Sequence, residues 1–404
     1  MQILFLNRFF YPDHSATSQL LSDLAFALGE SDRKVRVITS RQRYDDPGAD
    51  LPAFEAVGGV FVHRVWTSRF GRAWLPGRAL DYLSFYVSAG WRLWRLTREG
   101  DVIVAKTDPP LISLVGAVVA RLRGARLVNW LQDLFPEVAE ALGVRMPGLA
   151  VRRLRDWRNA SLRQARTNVV LGERMAERLR ESGVPPERVE IIHNWADGGA
   201  IRPTAAEGNP LREEWGLSGR FVAAYSGNLG RAHEFDTLLA AAEILRGLDG
   251  MAFLFIGGGH GYEKLRLEAK RRGLANVLFR PYQPRERLGL SLTLPDIHLI
   301  SLLPALEGLI VPSKFYGVLA AGRPVAFVGA RDGELSRQIE RHACGASFAP
   351  GDADGLAGFL LALSRDGERR ERMGRNARTA FENEFDQARA LAKWRALLTP
   401  LRPS

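Results

Sequence analysis

Short runs rich in Val and Ile, apolar on both faces, recur along this chain with helix-length segments between them. In the first half they are QILFL (2–6), KVRVIT (34–39), DVIVAK (101–106), RLVNWL (126–131), NVVLG (168–172) and VEIIHN (189–194). The second half continues with FVAAYSG (221–227), AFLFIGG (252–258), NVLFR (276–280), DIHLIS (296–301) and PVAFVG (324–329). A strand buried on both faces belongs to a parallel sheet, whose crossovers are usually helical. Two such series predict two doubly wound α/β domains, and 404 residues is long for a single core. The stretch ADGGAIRPTAAEGNP, rich in Gly, Pro and Ala, reads as the join. The expected division is a first domain over 1–196, a linker over 197–220, and a second domain over 221–384. The segment 385–404 has helical spacing and is expected to pack across the junction.

Composition narrows the partners. The formal charge is +11, which suits anionic ligands: nucleotides, phospholipid headgroups or nucleic acid. No recognised nucleic-acid-binding motif accompanies it, so nucleic acid is not expected. Cys344 is the only cysteine, which excludes an intrachain disulfide and a Cys-cluster metal site. The start, MQILFLNRFF, lacks the pattern of a signal peptide. The apolar stretch LISLVGAVVA (111–120) is about half the length needed to span a bilayer. The segment 70–98 interleaves Trp74, Tyr82, Tyr86, Trp91 and Trp94 with Arg. It reads either as a surface for an anionic membrane or as a core helix with a basic stripe.

In open parallel sheets ligands bind beyond the carboxyl ends of the strands. Two such sheets facing each other place the expected site in a central cleft, so the loops after the strands carry the candidates. After FVAAY the chain reads SGNLGRAHEF, where Gly227 and Gly230 leave room for a phosphate near backbone amides. Arg231 and His233 there are possible cationic or hydrogen-bonding contacts. In VPSKFYGVLAAGRPV, Ser313 is read as the cap of a helix whose first turn holds Lys314. Lysine is scarce here, six among 56 basic residues, and a cation at a helix start is mildly unfavourable unless an anion offsets it. Glu307 follows strand DIHLIS. In the first half, NRFFYPDHSATSQ offers His14 and Ser15, and QDLFPE offers Gln132, Asp133 and Glu137. Asp133 reads equally as a general base or a helix cap. His193 reads mainly as a structural residue.

The stretches FYPDHSATSQLLSDLAFAL, QDLFPE, IIHNWADGGAIRP, YSGNLGRAHEF and LEGLIVPSKFYGVLAAGRPV together resemble the nucleotide-sugar glycosyltransferases of family 4. The likeness spans nearly the whole chain and is nearest the subgroup that builds O-antigen, capsule and exopolysaccharide chains on polyprenyl-diphosphate carriers. It implies the GT-B fold, a UDP- or GDP-sugar donor, a lipid-linked saccharide acceptor, retention of configuration, and neither metal nor cofactor. It also implies a cytoplasmic protein held peripherally at the inner membrane face. Asp133, His14 and Glu307 become the catalytic candidates, and Ser15 and Gln132 the acceptor contacts. Gly227, Asn228, Gly230, Arg231, His233, Ser313, Lys314 and Gly317 become the donor contacts. The chain departs from the family where Asn228 and His233 stand in place of an Arg and a Lys. Gly317 takes the place of a glutamate, and Gln132 that of a frequent His. Two rival readings use the same donor site: a nucleotide-sugar epimerase, and a non-catalytic nucleotide-binding subunit.

Overall fold

A computed structural model describes residues 1–31, 33–71 and 75–399. The first sheet holds β1 (Gln2–Leu6), β2 (Lys34–Ser40), β3 (Phe54–Val57), β4 (Val60–Val65), β5 (Val102–Lys106), β6 (Arg126–Trp130), β7 (Thr167–Val170) and β8 (Val189–Ile191). Its order is β3-β4-β2-β1-β5-β6-β7-β8, parallel except where β3 pairs with β4. The second sheet holds β9 (Phe221–Asn228), β10 (Met251–Gly258), β11 (Val277–Arg280), β12 (Ile297–Ser301), β13 (Val325–Val328) and β14 (Gly345–Phe348). Its order is β11-β10-β9-β12-β13-β14, parallel throughout. Every run singled out in the sequence forms a strand. The hairpin β3–β4 and the short β14 were not anticipated. The hairpin turns on Gly58-Gly59, both at positive φ, which is the two-residue signal for an antiparallel pair.

The chain divides into two compact units, Met1–His193 together with the chain from Leu391 onward, and Asn194–Ala390. In the first unit, the helices α1 (Ala16–Gly29), α2 (Leu75–Leu96) and α3 (Ile112–Arg123) cover the sheet. Phe85, Ala89 and Leu93 of α2, spaced four apart, pack on Leu4, Leu6, Ile103 and Ala105. The terminal helix Gln387–Leu397 supplies Trp394, whose ring centroid lies 4.7 Å from that of Trp130.

Both faces of the second sheet are buried. Tyr225, Phe253 and Phe255 fill one side, and Val222, Ala224, Leu254 and Ile256 the other. The segment read as a linker is part of this core: Leu211, Trp215 and Leu217 lie against that second side. Asn209 starts a helix there, Pro210–Glu214, by accepting the Leu211 amide at 3.0 Å. Beside it, the buried Arg212 donates to Asp296 at 2.6 Å and to the Leu294 carbonyl at 2.9 Å. Gly, Pro and polar residues hid these apolar anchors, which are too widely spaced to read as an element. Because Trp394 is fully buried, Trp394→Ala is expected to lower unfolding free energy by about 3–5 kcal/mol. Urea unfolding of the first unit's transition measures this.

Candidate functional site

The direction of chain progression reverses between β1 and β5 in the first sheet and between β9 and β12 in the second. At such points the loops leaving the two strands diverge and open a crevice at their carboxyl ends. In the second unit these are the loops after Asn228 and Ser301, tied together by the Leu303 amide donating to the Ala232 carbonyl at 2.9 Å.

Lys314 sits at this point. Its side chain is folded inward, and Nζ lies 3.6 Å from the ring centroid of Tyr225 and donates to the Tyr225 hydroxyl. Burial holds the amine well below its ordinary pKa and the Tyr225 phenol well above its own. The amine is therefore desolvated against an aromatic face and forms no ion pair among the described residues. Gly227, at φ 125°, stands directly against it: a Cβ there would be 3.6 Å from Lys314 Nζ. Gly257, at φ 146°, lets β10 pass over the Gly227 carbonyl, which a Cβ would strike. The side chain of Asn228 lies close to Gly230 and Gly259, and the Asn228 backbone carbonyl accepts from the Tyr225 hydroxyl at 3.0 Å. The Ser226 and Ser301 hydroxyls are buried and lack a hydrogen-bond partner among the described residues.

The other donor candidates divide. Arg231 is exposed in the same loop and forms no ion pair among the described residues. His233 is not a cation here: burial, and then the charge of Lys314, push its pKa down to about 3. Its Nδ1 donates to the Ser301 carbonyl at 2.6 Å, which leaves Nε2 as the acceptor nitrogen. Ser313 precedes the helix Lys314–Ala320 in helical conformation, and its side chain makes no capping bond, contrary to the cap expected from the sequence. Gly317 faces Leu292, to which a Cβ would come within 3.4 Å. Glu307 is buried and accepts the Glu334 amide at 2.7 Å, holding the start of the helix Glu334–Arg341 rather than sitting solvated in a loop.

In the first unit the loops after β1 and β5 meet, the Arg8 amide donating to the Asp108 carbonyl at 2.7 Å. Asp13 accepts the amides of Ser15, at 2.8 Å, and of Tyr44, fixing this loop around the exposed His14. Ser15 begins α1, and its hydroxyl is buried without a partner among the described residues. After β6, the Gln132 amide approaches Thr107 Oγ1 at 3.3 Å. Asp133 is desolvated and sees Asp108, and these effects push its carboxyl up to about 7. Glu137 is drawn away into a bidentate pair with Arg158, at 2.9 and 3.0 Å, and is structural. His193 is likewise structural, Nδ1 lying 2.7 Å from the Leu171 carbonyl.

Two residues at these strand ends were missed from the sequence. One is Tyr225, hidden as an ordinary apolar strand residue. The other is Lys106, whose buried amine donates to the Thr17 carbonyl at 2.6 Å and lies 3.7 Å from the Trp130 ring centroid. A lysine closing an apolar strand was the available signal.

A different surface of the first unit stands out. Along α2, opposite its core stripe, Leu80, Leu83, Val87, Trp91 and Trp94 repeat at three- and four-residue spacing and are exposed, Val87 at 66% and Trp91 at 60%. Trp91 and Trp94 stack at 5.4 Å, with Arg95 and Arg123 each 5.5 Å from one of their rings. Trp74, read as part of this segment, lies outside the described residues. No helix among the described residues is long and apolar enough to cross a membrane.

Comparison with known proteins matches residues 17–195 to the glycosyl transferase 4-like domain and residues 209–380 to the glycosyl transferases group 1 family. The chain is 27% identical over 333 residues to a protein of Pseudomonas aeruginosa described as a probable glycosyltransferase, WbjE, covering 80% of each chain. It is 26% identical over 353 residues to WcaI of Escherichia coli, named for colanic acid biosynthesis, covering 84% of this chain and 86% of that one. Among solved structures, Anabaena Alr3699/HepE, crystallised with UDP, superposes with a TM-score of 0.73 at 16% identity, covering 99% of this chain and all of that one. That likeness concerns the fold.

The Asp133 carboxyl has a folded pKa raised above its unfolded value near 4. The folded state then binds the extra proton between about pH 4 and 7, so this group's stabilisation is complete below that window and is lost as pH rises through it. Asp133→Asn removes that loss. The variant is expected to gain roughly 1–3 kcal/mol relative to wild type between pH 4.5 and 8, by urea unfolding at the two pH values.

Proposed function

The chain is a glycosyltransferase of family 4, with the GT-B fold, and from that premise we propose that it moves a sugar from a UDP- or GDP-sugar to a saccharide carried on polyprenyl diphosphate. The synthesis served is that of a cell-surface polysaccharide, in line with the naming of WcaI. Membership of this family supports sugar transfer over the epimerase and the non-catalytic subunit.

The observation that carries the donor assignment is the inward-folded Lys314 over Tyr225, beside Gly227 and the unpartnered hydroxyls of Ser226 and Ser301. A buried amine without a counter-charge is costly, and a diphosphate restores its proton and its partner together. As the nucleoside diphosphate leaves, its charge grows, and Lys314, with Arg231 from the neighbouring loop, stabilises it more than it stabilises the ground state. The two hydroxyls and the amides around Gly227 and Gly230 supply further donors. His233, neutral, contributes Nε2 as an acceptor and suits a sugar hydroxyl better than a phosphate. Glu307, held by the Glu334 amide, is the carboxylate for the donor sugar.

The first unit takes the acceptor. Asp133, with a pKa of about 7, is a carboxylate for part of the protein at neutral pH and basic enough to draw a proton from the attacking hydroxyl. His14, Ser15 and Gln132 orient it. Retention of configuration and independence of metal complete the proposal, the leaving charge being met by protein cations and hydroxyls. The exposed apolar stripe of α2, set among Arg side chains, supports peripheral contact with the anionic inner face of the cytoplasmic membrane, where a lipid-linked acceptor resides.

UDP, GDP and dTDP separate the donor classes by thermal shift. One nucleotide at a hundred times its dissociation constant is expected to stabilise the protein by about 2.7 kcal/mol, with the effect lost in Lys314→Ala. Stabilisation by none of them, or equal stabilisation of the variant, would overturn the donor assignment. Because the free amine has a depressed pKa, binding at pH 8.5 is expected to take up a proton. Calorimetry should then show a binding enthalpy that varies with the buffer's ionisation enthalpy in wild type and not in Lys314→Met.

A further inference from the structure

The amino-terminal ends of the first sheet's strands, away from the Asp133 loop, carry a cavity of about 190 Å³, bounded by the starts of β1 and β2 and the end of α2. Lys34, Arg36, Arg95 and Arg98 line it, with Asp101 as the carboxylate among them. Asp101 answers part of this charge, acting on Arg36 among others, and leaves four cations against one carboxylate. Its oxygens accept from the Gln2 amide at 2.9 Å, Gln2 Nε2 at 2.7 Å and the Arg98 amide at 2.8 Å. None of the four basic side chains forms an ion pair among the described residues.

Arg36 is the most confined. Its Nε is buried without a hydrogen-bond partner among the described residues, and Nη1 lies 2.9 Å from His63 Nε2. The imidazole therefore accepts, consistent with a pKa pushed down to about 4 by its burial and then by Arg36 and Arg92. Burial and the charge of Arg98 also weaken the hold of Arg36 on its own proton. The helix dipole accounts for Arg95, in the last turn of α2. It does not account for Lys34 and Arg36, which come from β2. Four like charges around one concavity repel, and a bound anion relieves that repulsion.

The cavity adjoins the apolar stripe. Arg95, which lines it, also lies over the ring of the exposed Trp91. Beyond Trp91 come Trp94, Arg123 and Leu122, the last 69% exposed. A phosphate with an acyl chain attached matches this pairing of a cationic hollow and an apolar flank, whereas a free phosphate uses only the hollow. We propose that the Lys34–Arg36–Arg95–Arg98 cavity binds the phosphate of an anionic phospholipid headgroup. It thereby fixes how α2 lies on the membrane. The proposal rests on the reading of α2 as membrane-facing.

The test is sedimentation of the full chain with phosphatidylcholine vesicles, with and without phosphatidylglycerol. Lys34→Gln/Arg98→Gln changes two exposed side chains that bond to nothing else among the described residues, so the fold should persist. Loss of two cations near an anionic surface is expected to weaken partitioning to phosphatidylglycerol vesicles roughly thirtyfold. Arg180→Gln/Lys393→Gln removes the same charge elsewhere on the unit and is expected to stay within about twofold of wild type. Wild-type protein that binds neither vesicle would sink the membrane reading itself. Binding that the cavity variant leaves intact, or that the control reduces equally, would overturn the cavity assignment alone. Inorganic phosphate, titrated calorimetrically, covers the other source. Saturable binding that the cavity variant abolishes while vesicle binding is unchanged would make the ligand free phosphate and overturn the lipid assignment.

Discussion

A parallel strand with apolar side chains on both faces is stable only when helices cover both of them, and the rest of this protein depends on that requirement. β9, β10 and β12 are buried along nearly their whole length, so polar groups can gather only where the strands end. The strand order reverses between β1 and β5 and between β9 and β12, and there the loops leave the carboxyl ends of the strands in opposite directions. Glycine at 257 then lets β10 pass the Gly227 carbonyl at a distance that a Cβ would forbid.

Each unit places a lysine amine at its reversal point, over an aromatic ring and without an ion pair among the described residues: Lys106 on Trp130, Lys314 on Tyr225. The settings differ in what else the amine meets. Lys106 donates to the Thr17 carbonyl and feels Asp23 and Asp108, so its charge is partly answered inside the protein and it ties the first turn of α1 to the sheet. Lys314 has a phenol hydroxyl instead. A phenol is a poor counter-charge, and the electrostatic deficit at Lys314 is what an incoming diphosphate can make good. Similar geometry thus answers the amine's charge inside the protein in one unit and leaves it largely unanswered in the other.

The surface of the first unit follows a different logic. α2 carries two apolar stripes. The one through Phe85, Ala89 and Leu93 is satisfied by the sheet, and the one through Leu83, Val87 and Trp91 is left facing solvent. Arginines bracket the second stripe and converge at its end on a hollow where four basic side chains outnumber the one carboxylate, Asp101. The Asp133 loop and this surface thereby lie on the same unit, toward opposite ends of its strands.

Local pattern was enough to reveal the parallel strands, the two-series organisation, and the loops where chemistry would gather, because burial on both faces leaves a continuous apolar run in the sequence. It also identified Lys314 and Asp133 as unusual, since a scarce lysine and a carboxylate after a strand stand out by position. What local pattern could not carry was the environment of each side chain. The neutrality of His233, the engagement of Glu307 with a helix start, the role of Tyr225 and the absorption of Leu211 and Trp215 into the core arise from contacts with residues distant in sequence. The sequence alone determined the strands that are apolar on both faces and the loops that end them, but not β3, β4 or β14. Only the tertiary structure decided which of those polar groups are charged, paired or left waiting for a partner, because desolvation and hydrogen bonding depend on neighbours that the fold, and not the order of residues, brings together.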